Sequence, residues 1–302
     1  MLNLNGVSKS YGGKTVVSDV QLSLERGTVA ALLGANGAGK TTLIKCIVGL
    51  ISFEGDIEVG GIDVRRHSKE ARRQIGYLAQ NPGLHADLTV GETAVFHAEL
   101  KGVASRNARL AIETAGLEAH ADKAVGLLSG GMRQRLALAL ALLADPPFLI
   151  FDEPAAGLDT GARLELRRLV QEQKSRGKAI LLATHWLEDV PYIADQALVL
   201  ERGLTVFAGP AAKLEAAGAP TSRLYLRLNG HGAEAMDLLR TMPRVAGVAL
   251  SGDWLAVTCS PDRKAEVVET LVNARLKILD LRVDESRVEE ALLHLRDGVD
   301  AL

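Results

Sequence analysis

The sequence predicts an α/β fold, a parallel sheet flanked by helices, followed by a smaller α+β domain. Short apolar β-rich runs at Val29 to Leu33, Phe148 to Phe151 and Ala179 to Ala183 alternate with longer helical stretches, with glycines at the junctions. Between Gln80 and Leu128 the β-runs disappear and helix-forming sequence replaces them. Beyond a small, polar, proline-bearing stretch at Glu215 to Ser222 the pattern becomes strand, helix, two strands, helix, strand and a last helix. The 302 residues correspond to about two domains, and a 47% hydrophobic composition is ample for packed cores.

In chain order, Gly12 and Gly13 mark a hairpin turn. Lys14 and Thr15 imitate the end of a phosphate-binding loop, but the position five before Gly13 is Ser8, so the match fails. The strand ending at Leu33 runs into Gly34 to Thr42, GANGAGKTT, and then a helix through Ile44 and Val48. Helices over Val90 to Leu100, Arg106 to Thr114 and Leu117 to Asp122 form a helical insertion, about residues 81–135. The linker divides a first domain, 1–218, from a second, 219–302. In the second, strands at Arg223 to Leu228, Val245 to Leu250, Trp254 to Cys259 and Leu276 to Val283 alternate with helices at Ala233 to Thr241 and Asp262 to Ala274, and Gly252 turns a hairpin. This β-α-β-β-α-β order is ferredoxin-like. The last helix, Ser286 to Arg296, aligns Val288, Ala291, Leu292 and Leu295 on one face, which either its own domain or a partner buries.

Composition removes several functions. Lys plus Arg total 35 against 37 Asp plus Glu, a net charge of -2, so no basic field exists to hold nucleic acid. The longest apolar run, Leu136 to Ala144, falls well short of the roughly 18 residues that cross a bilayer. The start of the sequence has no charged region followed by a long apolar stretch, so residence in the cytosol is expected. Cys46 and Cys259 lie in separate halves without pairing or metal spacing and read as small core residues.

Residues 34–42 match G-x-x-x-x-G-K-[ST] in a strand-loop-helix setting. Gly34, Gly37 and Gly39, with Asn36 and Ala38 between them, let backbone N–H groups point at phosphates where the following helix begins. Lys40 reaches the β- and γ-phosphates, Thr41 is placed to ligate Mg²⁺, and Thr42 supports the phosphate contacts. The strand through Phe151 ends in Asp152 and Glu153, then Pro154, which cannot extend the ladder. Ligands bind at this edge of a parallel sheet, so Asp152 holds the Mg²⁺ through water while Glu153 orients and deprotonates the attacking water. The alternative is a solvated acidic turn. His185 ends another apolar strand, AILLATH, and reaches the same edge for γ-phosphate contact unless it is structural.

Leu128 to Met132, LSGGM, precedes Arg133, Gln134, Arg135 and an alanine-leucine helix. Together with the phosphate loop, FLIFDEP, the loop Gly157, Leu158 and Asp159, and His185, this resembles the ATP-binding subunit of an ABC transporter across about residues 1–218. The resemblance implies an ATPase that uses ATP and Mg²⁺, works as a nucleotide-sandwich homodimer and drives integral membrane subunits from the cytoplasmic face of the membrane. It implies that Tyr11 stacks on adenine, a core tyrosine being the alternative. It makes Gln80 the glutamine that senses Mg²⁺ and the attacking water, a surface glutamine being the alternative. Ser129, Gly130 and Gly131 match the loop that caps the γ-phosphate of ATP on a second subunit, and Asp159 joins the nucleotide contacts. Met132 departs from the superfamily's usual glutamine but matches the LSGGMR form of ABC-2-type exporters, so an exporter is favoured over an importer. A soluble ABC ATPase acting on ribosomes or DNA, or a non-hydrolysing scaffold, is the alternative of another class. Leu84, Leu88 and Phe96, within Asn81 to His97, either meet a membrane-subunit helix or fill the insertion's own core. The second domain is expected to serve dimerisation or regulation.

Overall fold

The computed structural model describes residues 1–156, 158, 160–184, 190–217, 222–243 and 245–284. By its contacts the chain forms two units, Met1–Ala212 and Lys213–Leu302. Among the described residues no helix is long and apolar enough to cross a membrane.

The first unit holds two sheets. Strands β1 (Leu2–Tyr11), β2 (Lys14–Leu24), β4 (Glu54–Val59) and β5 (Ile62–Asp63) form an antiparallel sheet in the order β2-β1-β4-β5. The turn at Gly12 and Gly13 closes β1 on β2 with Tyr11 opposite Lys14. The second sheet runs β10-β9-β3-β8-β7-β6, from β3 (Val29–Leu33), β6 (Ile75–Leu78), β7 (Phe148–Asp152), β8 (Ala179–Ala183), β9 (Gln196–Glu201) and β10 (Leu204–Pro210). From β9 to β6 every pairing is parallel, and only β10 is antiparallel. Every residue of β3, β7 and β8 is buried. Helices cover both faces of such strands, which is why they read as continuous apolar runs. Cys46 is buried and unpaired, and burial pushes its thiol up to about 11, so it stays a protonated core group at neutral pH.

Helices α1 (Lys40–Ile47), α2 (Ser68–Arg73), α6 (Thr160–Ser175), α7 (Val190–Ile193) and α8 (Ala211–Ala217) punctuate the sheet strands. Between β6 and β7 come α3 (Val90–Lys101), α4 (Ser105–Thr114) and α5 (Gly130–Leu142). Thr89 and Glu92 make a reciprocal capping box at the start of α3, and Gly102 ends it in the left-handed region. The segment expected as a helix over Leu117 to Asp122 is a single 3₁₀ turn, Glu118–His120. Gly116 at φ 61° terminates α4 just before it and leaves too few residues for α-helical turns. Helix α5 is apolar on two sides: Leu136, Ala139 and Leu140 pack into the helical layer, while Ala137 and Ala141 pack against Leu78, Leu149 and Phe151 of the sheet.

The second unit contains β11 (Ser222–Leu228), α9 (Gly232–Arg240), β12 (Val245–Ser251), β13 (Trp254–Cys259), α10 (Lys264–Asn273) and β14 (Ile278–Asp284). The antiparallel sheet order, β12-β13-β11-β14, is the ferredoxin-like one expected from the element order. Leu224, Leu226, Leu255 and Val257 form its core with Leu239 of α9 and Val267 and Leu271 of α10. The Glu215 to Ser222 stretch is not wholly irregular: α8 runs to Ala217 and Ser222 opens β11. Five of the seven residues of α8 are Ala or Leu, and that helix propensity carries the helix into the expected linker. Helix α10 starts at Lys264, after a 3₁₀ turn over Pro261–Arg263, because Pro261 favours a helix start but supplies no N–H. The last helix expected at Ser286 to Arg296 lies outside the described residues.

Strand β6 and helix α5 touch backbone to backbone at Gly76, where an added Cβ would lie 2.5 Å from the Ala141 carbonyl oxygen and 2.8 Å from Leu149 Cδ2. Gly76→Ala should therefore lower stability by about 1–3 kcal/mol, the range for overpacked cores, seen as a lower urea midpoint. An unchanged midpoint would contradict this close approach.

Candidate functional site

The parallel sheet aligns its carboxyl ends. Register places Leu32 of β3 beside Ala183 of β8, and Ala183 beside Asp152 of β7, while Leu78 of β6 lies beside Phe151. Four adjacent strands therefore deliver the loop 34–39, the turn after Ala183, the pair Asp152–Glu153, and Gln80 to one edge. His185, Asp159 and Gly157 lie outside the described residues. Thr184, immediately before His185, is buried and donates its N–H to the Leu32 carbonyl, 3.1 Å, where β3 ends.

The loop is fixed by close packing. An added Cβ on Gly34 would lie 2.3 Å from the Leu200 carbonyl oxygen of β9, and on Gly39, at φ 109°, 2.7 Å from that of Val16 in β2. Ala38 donates to Ala35, 3.1 Å, and accepts from Gly203, 3.0 Å. Ala35, Asn36 and Gly37 stay exposed at the loop's crest. Gly39 caps α1 without a side-chain acceptor, so the helix's first N–H groups are left for a ligand, at its positive end.

Lys40 is 6% exposed, and its ammonium donates to the Gly34 carbonyl, 2.7 Å, and the Ala35 carbonyl, 3.4 Å. It also stands 3.4 Å from Glu153 Oε1, which joins the phosphate loop to the carboxylate pair. Glu153 holds a left-handed backbone, φ 53°, uncommon outside glycine, and its N–H donates to the Ala183 carbonyl, 2.9 Å.

Asp152 is fully buried, and among the described residues no group holds either carboxylate oxygen in a close hydrogen bond, the Thr41 hydroxyl being the donor nearest to it. Burial holds its carboxyl above the usual range; the Thr41 hydroxyl facing it lowers the value, Glu153 adds to the rise, and Lys40 and Lys45 oppose it. Tyr77, on β6, is pushed up to about 12 by burial and by the nearby Asp152 charge. A buried carboxylate lacking close donors is costly unless something cationic meets it. Two such oxygens beside the Thr41 hydroxyl suit a Mg²⁺ that arrives with phosphate oxygens. Among the described residues no group of three or more His, Cys, Asp or Glu could hold a metal by itself.

Five further predicted residues, Ser129, Gly130, Gly131, Tyr11 and Gln80, lie on exposed or uncrowded backbone. Ser129 caps α5, accepting from the Met132 N–H, 3.3 Å, and is exposed with Gly130, while no neighbour crowds Gly130 or Gly131. Among the described residues no hydrogen bond links this turn to residues 34–42. Tyr11 is 48% exposed with Lys9 Nζ 4.9 Å above its ring, so it is not a core tyrosine. Gln80 is exposed, two residues beyond β6. Sequence reasoning missed two further contributors. Gln134 donates to the Pro154 carbonyl, 3.0 Å, tying α5 to the end of β7; the motif run LSGGMRQ contained it. Gly203 supports the loop from the β9–β10 turn, and no local signal could find a contact formed across so long a stretch of chain.

The match to known proteins agrees with this geometry. Residues 17–156 match the ABC transporter family. The chain is 37% identical over 283 residues to Nod factor export ATP-binding protein I of Rhizobium johnstonii (strain DSM 114642 / LMG 32736 / 3841), covering 91% of this chain and 89% of the relative. It is 29% identical over 304 residues to linearmycin resistance ATP-binding protein LnrL of Bacillus subtilis (strain 168), covering 98% of each. Among solved structures, an ATP-binding subunit of an ABC transporter superposes with a TM-score of 0.67 at 31% identity, over 72% of this chain and 92% of that one. A dimeric bacterial ABC transporter cassette gives 0.65 at 25% identity, over 70% and 99%. A loop that gathers a buried lysine, a buried aspartate and a glutamate at one sheet edge, in a chain so similar to these, makes it a member of the ABC transporter family, as an ATP-binding, ATP-hydrolysing subunit.

Proposed function

We propose that this chain is the motor of an exporter of the ABC-2 type, working as a homodimer on the cytoplasmic face of a membrane. The observation that carries the reading is the meeting of Lys40, Asp152 and Glu153 beneath the phosphate loop. Exporter character rests on the LSGGMR form at Leu128 to Arg133 and on the two relatives named for export and resistance. Importer, ribosome-directed and DNA-directed roles have no comparable feature in their favour.

In this reading the loop N–H groups and Lys40 bind the β- and γ-phosphates, Tyr11 stacks on the base, and Thr42 steadies the helix start. Thr41 and Asp152 would hold Mg²⁺, with Gln80 near it. The ion supplies charge neutralisation of the phosphates when bound. Glu153 takes the proton from the attacking water, and His185 contacts the γ-phosphate. Ser129, Gly130, Gly131 and Asp159 serve the nucleotide of the second copy, which accounts for a capped, uncrowded and exposed Ser129 turn. Closing of the two copies then follows nucleotide state, and the Gln134–Pro154 bond ties that step to the helical layer. Membrane subunits engage beside Gln80, in the groove between β6 and the helical layer. Leu84 packs inward there with both cores, so of the three apolar candidates Phe96, 40% exposed, is the one offered outward.

Glu153→Gln should keep ATP binding while cutting steady-state phosphate release at least about 100-fold, the lower range for loss of a positioned base. With ATP its mass in light scattering should double. Turnover equal to the native chain would overturn the role of Glu153.

Asp152 binds its proton more tightly in the folded than in the unfolded chain. Without nucleotide, stability should therefore fall as pH rises from about 4, the unfolded value, through the raised folded value. Asp152→Asn removes the buried charge and should raise the melting temperature at pH 7.5 by about 2–4 °C. Mg-ATP should then no longer add its own stabilisation. A lower melting temperature, or retained Mg-ATP stabilisation, would contradict the assignment.

A further inference from the structure

Glu153 is held in a backbone form that its own sequence disfavours. Its φ of 53° is left-handed, whereas the Pro154 that follows biases residue 153 towards extended backbone. Such a conformation persists only where the surroundings over-determine it. Two of the ties that do so are made by its own backbone: the N–H donates to the Ala183 carbonyl of β8, 2.9 Å, and the carbonyl accepts from the Ala156 N–H, 3.1 Å. The third comes from the helical layer. Gln134, five residues after the Ser129 cap of α5, donates its side-chain N–H to the Pro154 carbonyl at 3.0 Å. Pro154 is buried, and among the described residues no backbone N–H serves that carbonyl.

That bond is not needed to fasten α5. Ala137 and Ala141 already pack with Leu78, Leu149 and Phe151, and another apolar side chain at position 134 would extend such packing without requiring a partner. The acceptor lies instead one peptide beyond Glu153, whose carboxylate stands 3.4 Å from Lys40. Pro154 has a fixed φ, so holding its carbonyl also holds its ring and, through the ring, the backbone of residue 153. Without Gln134 the buried carbonyl would lack its donor, and turning towards another would release Glu153 to the extended form that Pro154 favours. We propose that Gln134 is a positioning residue for ATP hydrolysis, acting through Pro154 to aim the Glu153 carboxylate. The proposal rests on the reading of Glu153 as the base for the attacking water, and it adds the side chain that keeps this base in place.

The test measures single-turnover ATP hydrolysis and Mg-ATP affinity of the full chain. Gln134→Met keeps the length of the side chain but removes its N–H donors, and it should slow hydrolysis about tenfold or more, the scale on which a misplaced group acts. Affinity for Mg-ATP should stay within about twofold of native, which also shows that the variant folds. Gln134→Glu, of the same shape but ionised at pH 8 and without an N–H, should lose at least as much. In a Glu153→Gln chain no base remains to be aimed, so adding Gln134→Met should change the residual rate by less than about twofold. A native rate in Gln134→Met beside a slow Glu153→Gln would overturn the proposal and leave the role of Glu153 intact. The same tenfold loss repeated on the Glu153→Gln chain, or affinity lost in step with rate, would make Gln134 a structural tie and overturn it as well. A Glu153→Gln chain as fast as native would overturn the base assignment and the proposal together.

Discussion

The burial of Asp152 with no close hydrogen bond among the described residues is the constraint on which the site turns. A carboxylate in that position raises its own proton affinity and weakens the fold that contains it. It is sustained by β7, buried at every residue and paired on both sides, which fixes the chain up to Asp152 whatever the last side chain prefers. The left-handed turn at Glu153 follows at once and brings a second carboxylate to Lys40. A rigid scaffold thus stores an unfavourable charge that a phosphate-bound cation would relieve, and in the proposed reading ligand and fold are linked by the same electrostatics.

Helix α5 carries that local chemistry outward. One side closes the helical layer, another rests on β6 and β7, its first turn presents the Ser129 cap, and Gln134 grips Pro154. The same helix floors the groove between β6 and the helical layer. A shift of α5 relative to β7 would therefore alter the nucleotide edge, the cap and the groove together, a shared element of the kind that coupling between sites requires.

Much of this was legible in the sequence, for physical reasons. Strands β3, β7 and β8 announce themselves because burial on both faces demands unbroken apolar runs, and the phosphate loop because its glycines meet needs that other residues cannot. The hairpins at Gly12–Gly13 and Gly252 follow from local turn chemistry. Less legible were features set by distant contact or by competing local preferences. Alanine-rich α8 overrode the apparent linker, and Gly116 shortened the Leu117 segment to one turn. For Tyr11 the resemblance favoured a base-stacking role over a core tyrosine, and its exposure beneath Lys9 removes the core alternative.

The most direct measurement of the account is calorimetric titration of the purified native chain with ATP, with Mg²⁺ and with EDTA, at several pH values. Tight binding that requires Mg²⁺ and weakens as acid protonates Asp152 is the expected result. Heat signals absent under both conditions, or identical with and without the cation, would contradict it.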